Sequence, residues 1–165
     1  MLFAATFTGM KRSPYNLLQE IYLSGGVSRN KIWKVFVCCM LLSRTSREQV
    51  DRIRKELFAR WPDSFAMSSA NTSELSDLIR SLGFGTKRAE GLVRMSRDFD
   101  GIEWTDPAEL FGLGQYASDA YQIFVLRKKV KNPSDHFLHA YQEWLYKGRV
   151  DGVKLERSKR FTGGQ

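Results

Sequence analysis

Leu110-Phe111-Gly112-Leu113-Gly114-Gln115-Tyr116 is the stretch on which the reading of this chain turns. Two glycines around one apolar residue permit a tight backbone reversal and the close approach of another chain. Amides at the start of the helix that follows point outward and favour an anion. A lone Gly-x-Gly is equally the turn between two helices, and by itself it decides nothing about function. Downstream lies Asn132-Pro133-Ser134-Asp135-His136. A carboxylate in the first turn of a helix is favoured by the helix dipole, and Asp135 there suits a charge that supports a cationic transition state. It equally suits an ordinary helix cap.

Outward from these two segments the chain reads as all helical. Ser13-Pro14 has the cap-then-proline pattern of a helix start, with Leu17, Leu18, Ile21 and Tyr22 as the apolar stripe behind it. Gly25-Gly26 breaks that helix, and Ser28 caps the next, whose body from Ile32 to Leu42 is apolar on most sides, as expected of a central core helix. Ser46 with Gln49 and Asn71 with Glu74 are two capping boxes. Trp61-Pro62 ends the first of these helices, and Gly83 follows the second as its C′ residue. Thr86 starts a helix carrying Ala89, Leu92 and Val93, and Asp106-Pro107 with Glu109 opens a short helix running into Gly112. The segment after the hairpin continues as helix from Tyr121 to Val130. Ser134 or Asn132 starts the last one, with Leu138, Tyr141, Trp144 and Leu145 on one face. No run has the alternation of a strand.

A chain of 165 residues is expected to form one domain and can bury roughly 70% of its extended surface. Lysine and arginine number 26 against 18 acids, a net charge of +8 that favours a polyanionic partner, either nucleic acid or an acidic membrane. The longest apolar run, Val35 to Leu42, is far short of the ~20 residues of a membrane span. Met1 to Phe7 lacks the basic start and apolar length of a secretion signal. No lysine-rich amphipathic helix points to a membrane surface. The only cysteines, Cys38 and Cys39, are adjacent within an apolar run. They are read as reduced core residues, and two thiolates cannot hold a four-thiolate cluster. His136 and His139 are too few and too poorly accompanied for zinc. There is no Gly-x-Ser-x-Gly elbow and no phosphate loop with lysine.

Three further features bear on a nucleic-acid partner. Arg44, with Thr45, follows the most apolar helix, where an arginine either reaches a phosphate or fills space in a duplex, or ends a helix in solvent. Phe84, between Gly83 and Gly85, is either a wedge between stacked bases or a side chain folded back on the core. The run Arg127-Lys128-Lys129-Val130-Lys131 is either a phosphate patch or a solvated face.

Taken in order, five segments resemble the helix-hairpin-helix (HhH-GPD) DNA glycosylase superfamily. They are Asn16-Leu17-Leu18-Gln19-Glu20; Leu42-Ser43-Arg44-Thr45-Ser46; Leu82-Gly83-Phe84 with Arg88-Ala89; the hairpin with Asp119-Ala120-Tyr121; and Asp135-His136 with Tyr141-Gln142-Glu143-Trp144-Leu145. Within the superfamily the chain looks most like the glycosylase domains of the methyl-CpG-binding-domain thymine glycosylases, and next like thermophilic mismatch glycosylases. The resemblance implies an all-α, two-lobed fold with the active site in the cleft between the lobes. The central lobe would run from about residue 28 to 115, the second would join residues 1–27 to 116–150, and residues 151–165 would form a basic, frayed tail.

The implied roles are residue by residue. Asp135 would be the catalytic carboxylate. Tyr116 stands where bifunctional relatives carry a Schiff-base lysine, so the enzyme would be monofunctional and leave an abasic site. Gln19 would bind the extruded base. Arg44 and Phe84 would fill the gap it leaves, Gly112 and Gly114 would hold the phosphate backbone, and Thr45, Lys87 and Arg88 would add DNA contacts. The substrate would be thymine or uracil mispaired with guanine in double-stranded DNA. The alternatives are a glycosylase for another damaged base and a non-catalytic DNA-binding module. The resemblance implies no metal or organic cofactor, a monomer, and a nuclear location to which the short cluster Arg157-Ser158-Lys159-Arg160 adds little. Two departures stand out. Phe84 replaces the usual leucine, and Phe137 stands where relatives often carry a polar or basic residue. With no methyl-binding segment ahead of the glycosylase motifs, targeting to methylated sites is not expected.

Overall fold

The computed structural model describes residues 17–23 and 28–147. The expected helix start at Ser13-Pro14, the Gly25-Gly26 break and the tail from residue 151 lie outside them. The described residues form eight α-helices joined by short 3-10 and π turns, with no strand. None of these helices is long and apolar enough to cross a membrane. The chain separates into two compact units, Ser28–Ser118 and a second made of residues up to Val27 together with those from Asp119 onward.

The unit Ser28–Ser118 is built around α2 (Arg29–Leu41), whose N-terminus is capped by the Ser28 hydroxyl accepting from Lys31 N–H. Seven residues of α2 are buried: Trp33, Val35, Phe36, Val37, Cys38, Cys39 and Leu41. A helix apolar on most sides has no face to offer solvent, so its neighbours must surround it. Among them are α3 (Arg47–Arg60) and α6 (Gly85–Gly101), and α4 (Ser64–Ser68) and α5 (Thr72–Ile79) pack along α6 in turn. Phe36 meets Phe99 and Trp104 edge to face, with ring centroids 6.0 and 5.5 Å apart. Trp33 is fully buried, and its Nε1–H donates to Ser96 Oγ at 2.9 Å, so the one polar atom it carries into the core is paired. Both cysteines are free and buried, and burial pushes the Cys38 thiol up to about 12. These are inert core residues rather than nucleophiles.

Several helix boundaries differ from their sequence signals. Ser46 and Gln49 form the full reciprocal box at the head of α3. At α5 only half of the expected box exists: Asn71 Oδ1 accepts from Ser73 and Glu74 N–H, and one carboxamide oxygen serving both amides does the work of the pair. The helix α6 begins at Gly85, not Thr86, because Phe84 itself occupies the cap position with left-handed backbone (φ 52°). The five-residue α4, capped by Asp63, has too short a period to be read from pattern alone.

In the second unit, α1 (Leu17–Leu23) buries Leu17, Leu18, Ile21 and Tyr22, the stripe its spacing predicts. The helix α7 (Gln115–Ala120), in which the boundary between the units falls, passes into a π turn at Tyr121–Val125, against which α1 packs. The Leu126 N–H closes on Tyr121 C=O at 3.0 Å, and Arg127 then takes positive φ (57°), so the helix stops short of the expected Val130. The last helix, α8 (His136–Lys147), buries Leu138, Tyr141 and Leu145 and leaves Trp144 half-buried.

Candidate nucleic-acid interface and active site

The hairpin of residues 110–116 is anchored within its own unit. Phe111 N–H donates to Asp98 Oδ2 at 3.0 Å, and Arg94 lies over the Phe111 ring at 4.0 Å. Gly112 has φ +74°, which favours glycine; a Cβ there would stand 2.8 Å from the Met40 methyl, the end of a flexible side chain that can give way. A Cβ on Gly114 would meet nothing within 4 Å, so the tip at Gly114 faces open space. The capping box of the 3-10 turn Pro107–Glu109 and a Ser118 hydroxyl to Asp106 hydrogen bond brace the hairpin's flanks. Tyr116 sits half-buried in the first turn of α7.

Arg44 and Phe84, far apart in sequence, belong to two turns that one side chain joins. Arg88 Nε–H donates to Gly83 C=O at 2.8 Å, Nη2 to Ser43 C=O at 2.8 Å and Nη1 to Met40 C=O at 3.2 Å, with a longer contact to Leu82 C=O. Both Arg44 (φ 57°) and Phe84 (φ 52°) are non-glycine residues in the left-handed region, and both are exposed, Phe84 at 67%. A bulky aromatic held exposed on strained backbone costs free energy twice, once in φ and once in hydration, and such outliers cluster at functional positions. Of the other expected DNA contacts here, Lys87 is exposed and without an ion pair among the described residues. Thr45 spends its hydroxyl on Leu41 C=O at the end of α2.

The second unit holds Gln19 and Asp135. The last helix starts one residue later than expected from Ser134: Asp135 is itself the cap, with Oδ2 accepting from Leu138 N–H at 3.0 Å and its carbonyl accepting from His139 N–H. No cation pairs with the Asp135 carboxylate among the described residues. The loop that delivers it is pinned at both ends by buried polar side chains. Gln142, 2% exposed, exchanges two 2.7 Å hydrogen bonds with the main chain of Val130. Asp119, 1% exposed, accepts from Ser134 N–H and Oγ–H at 2.8 and 2.9 Å. By itself Asp119 signals no role from the sequence; its role shows only once its partner Ser134 is known. Asp119→Ala leaves two donors of Ser134 without their acceptor. It is expected to lower unfolding free energy by about 2 kcal/mol in a denaturant titration, with Asp119→Asn losing less.

Gln19 stands apart from the other buried polar residues. Ser96, Ser118, Asp119 and Gln142 all have hydrogen-bond partners. Gln19, 8% exposed, has no side-chain partner among the described residues. No fully buried side-chain nitrogen or oxygen is left unpaired there, so the Gln19 amide reaches accessible space. The basic run is divided in use: Arg127 lies over the Tyr22 ring and Lys129 over Tyr146, while Lys128 and Lys131 are exposed.

These features are those of a helical protein carrying a braced glycine hairpin, a left-handed aromatic finger and a half-buried cap carboxylate. Residues 37–156 match the family model described as HhH-GPD superfamily base excision DNA repair protein, and the chain belongs to that superfamily. It is 37% identical over 136 residues to the Methyl-CpG-binding domain protein 4-like protein of Arabidopsis thaliana, covering 81% of this chain and 29% of that protein. It is 32% identical over 137 residues to the thymine/uracil-DNA glycosylase of Pyrobaculum aerophilum, covering 79% of this chain and 57% of the relative. The chain thus spans about a third to little more than half of these relatives' lengths. The solved structure of a thermostable thymine-DNA glycosylase aligns with TM-score 0.55 at 21% identity, covering 68% of this chain and 58% of that one; it shares the fold.

Proposed function

We propose that the chain is a monofunctional DNA glycosylase of base excision repair that hydrolyses the N-glycosidic bond of thymine or uracil mispaired with guanine. The observation that carries this reading is the Gln19 amide, a hydrogen-bonding group brought to a mostly buried position with no side-chain partner among the described residues. A protein that merely grips duplex has no use for such a group, because paired bases within the stack do not offer their Watson–Crick edges. A base turned out of the helix does.

The reaction follows from the same residues. Extruding a nucleotide costs a few kcal/mol, least for a mispair, which gives selectivity before any contact is made. Phe84 and Arg44 occupy the vacated stack. As the bond from C1′ to the base nitrogen lengthens, positive charge grows on the sugar, and the Asp135 carboxylate stabilises it. Water then forms the new C1′–O bond, while the base leaves with the bonding pair, its developing charge met by the Gln19 amide; the proton that the water loses neutralises the departed base anion. Tyr116 offers no amine, so no Schiff base forms and the product is an abasic site. The reaction so drawn from these residues calls on no metal or organic cofactor.

A second reading has one observation in its favour: Asp135 already has a structural task as a cap. A non-catalytic DNA-binding module would need nothing more of it. One experiment separates the readings. A panel of duplexes carrying T:G, U:G, oxidised or alkylated bases is incubated with the protein and treated with alkali. Strand breaks at T:G and U:G are expected, with no adduct trapped by borohydride. Cleavage confined to another lesion would reassign the substrate, no cleavage would leave the module, and a strong covalent adduct would refute the monofunctional assignment.

A further inference from the structure

We infer that Arg88 is a positioning residue that sets the spacing of the Arg44 and Phe84 fingers, rather than a DNA contact in its own right. The inference rests on the reading that these two side chains enter the duplex. Arg88 projects from the first turns of α6, and every hydrogen bond its guanidinium makes goes to a main-chain carbonyl. Met40 and Ser43 lie at the C-terminal end of α2, where carbonyls have no partner within the helix and the dipole attracts a cation. Gly83 and Leu82 close the 3-10 turn Arg80–Leu82 that leads to Phe84. The guanidinium therefore binds the residue just before Arg44 and the residue just before Phe84 at once, through Ser43 and Gly83 at 2.8 Å each.

The arrangement answers a mechanical problem. Arg44 and Phe84 are both at positive φ, a conformation that relaxes unless the surroundings over-determine it. They also sit on different turns with no helix in common, so nothing in the local chain fixes their separation. A planar group with donors in a rigid fork can tie two carbonyl clusters in one geometry, and lysine, with one compact ammonium on a flexible stem, cannot. No carboxylate pairs with Arg88 among the described residues, and burial pulls its pKa below the ordinary arginine value; its hydrogen bonds among the described residues all go to carbonyls. A guanidinium so engaged has little left to offer a phosphate.

The test compares wild type, Arg88→Lys, Arg88→Gln, Phe84→Ala, Arg44→Ala and the triple combination with Arg88→Lys. Single-turnover excision from a T:G duplex is read together with fluorescence of 2-aminopurine beside the mispair and the salt dependence of binding to paired duplex. Arg88→Lys is expected to slow excision on the order of 100-fold through misplacement of the fingers, and to weaken the 2-aminopurine signal. The slope of log affinity against log salt stays at its wild-type value. With both fingers already removed, the same substitution costs less than about threefold, because residues acting through one another are not additive. Arg88→Gln, read beside its melting curve, gives the same pattern should the lysine variant fold poorly.

A salt slope reduced by about one would mark Arg88 as a phosphate contact and overturn the inference. An equal loss in both backgrounds would mark general destabilisation and overturn it as well. Wild-type excision by Phe84→Ala and Arg44→Ala would remove the underlying reading of the fingers, and the inference with it. Finger variants that fail while Arg88→Lys excises normally would remove the inference alone.

Discussion

Asp135→Asn is expected to lose base excision by about a thousandfold while keeping its fold and its hold on mismatched DNA. The structure makes this substitution unusually clean. Asp135 does two things: Oδ2 accepts from Leu138 N–H at 3.0 Å at the head of α8, and the carboxylate carries a charge unmatched by any cation among the described residues. Asparagine caps helices about as well as aspartate, so the amide oxygen inherits the first task. Only the charge is removed. Melting should therefore hardly move, and binding to a T:G duplex should persist, while the stretched glycosidic bond loses its counter-charge. Asp135→Ala makes the useful contrast, because it also forfeits the cap, at a cost of ~1 kcal/mol. Near-normal single-turnover excision by the asparagine variant would reduce Asp135 to its capping task.

Gln19→Met should show the opposite of the usual rule for buried polar residues. Replacing a buried amide ordinarily strands its partner and destabilises the protein by roughly 1–3 kcal/mol. Gln19 has no side-chain partner among the described residues to strand, and methionine is close to it in volume. The melting temperature is thus expected to stay at or slightly above that of wild type. Excision of thymine and uracil should fall by about a hundredfold or more, as in other sites built to hydrogen-bond a substrate group. Gln142→Met is the internal control: its amide exchanges two hydrogen bonds with Val130, so there the same chemical change should cost stability first. Measuring both variants by denaturant titration and by excision decides the matter. A Gln19→Met protein that unfolds early, or that excises at the wild-type rate, removes Gln19 from base recognition.

Much of the helical framework was readable because its signals are local. A cap and the amide it serves lie within three residues, as in Ser28 with Lys31 and Ser46 with Gln49. An apolar helix announces its central place by having no polar face, as α2 does. The glycine pair of the hairpin declares a tight turn from composition alone, and Gly112 takes the left-handed backbone that only glycine adopts freely. Where the reading slipped, tertiary packing had overruled local preference. The cap of α6 passed from Thr86 to a strained Phe84, the start of α8 moved to Asp135, and the π turn ended its helix before Val130.

The residues themselves, Gln19, Arg44, Phe84, Arg88, Asp119 and Asp135, were all in view from the start, and so were their chemical types. What the letters could not say is which of them the fold employs. Arg88 was expected on DNA, yet its guanidinium is occupied by carbonyls, one of them 48 residues away. Asp119 carried no expected role, yet it holds the loop before Asp135 across 15 residues. Gln142 and Gln19 are the same residue type, both buried; one exchanges two hydrogen bonds with Val130 and the other has no side-chain partner among the described residues. Helical periodicity and end-capping are short-range and belong to the sequence. Whether a buried donor is satisfied depends on atoms brought beside it by the collapse of the whole chain, and that only the tertiary structure decides.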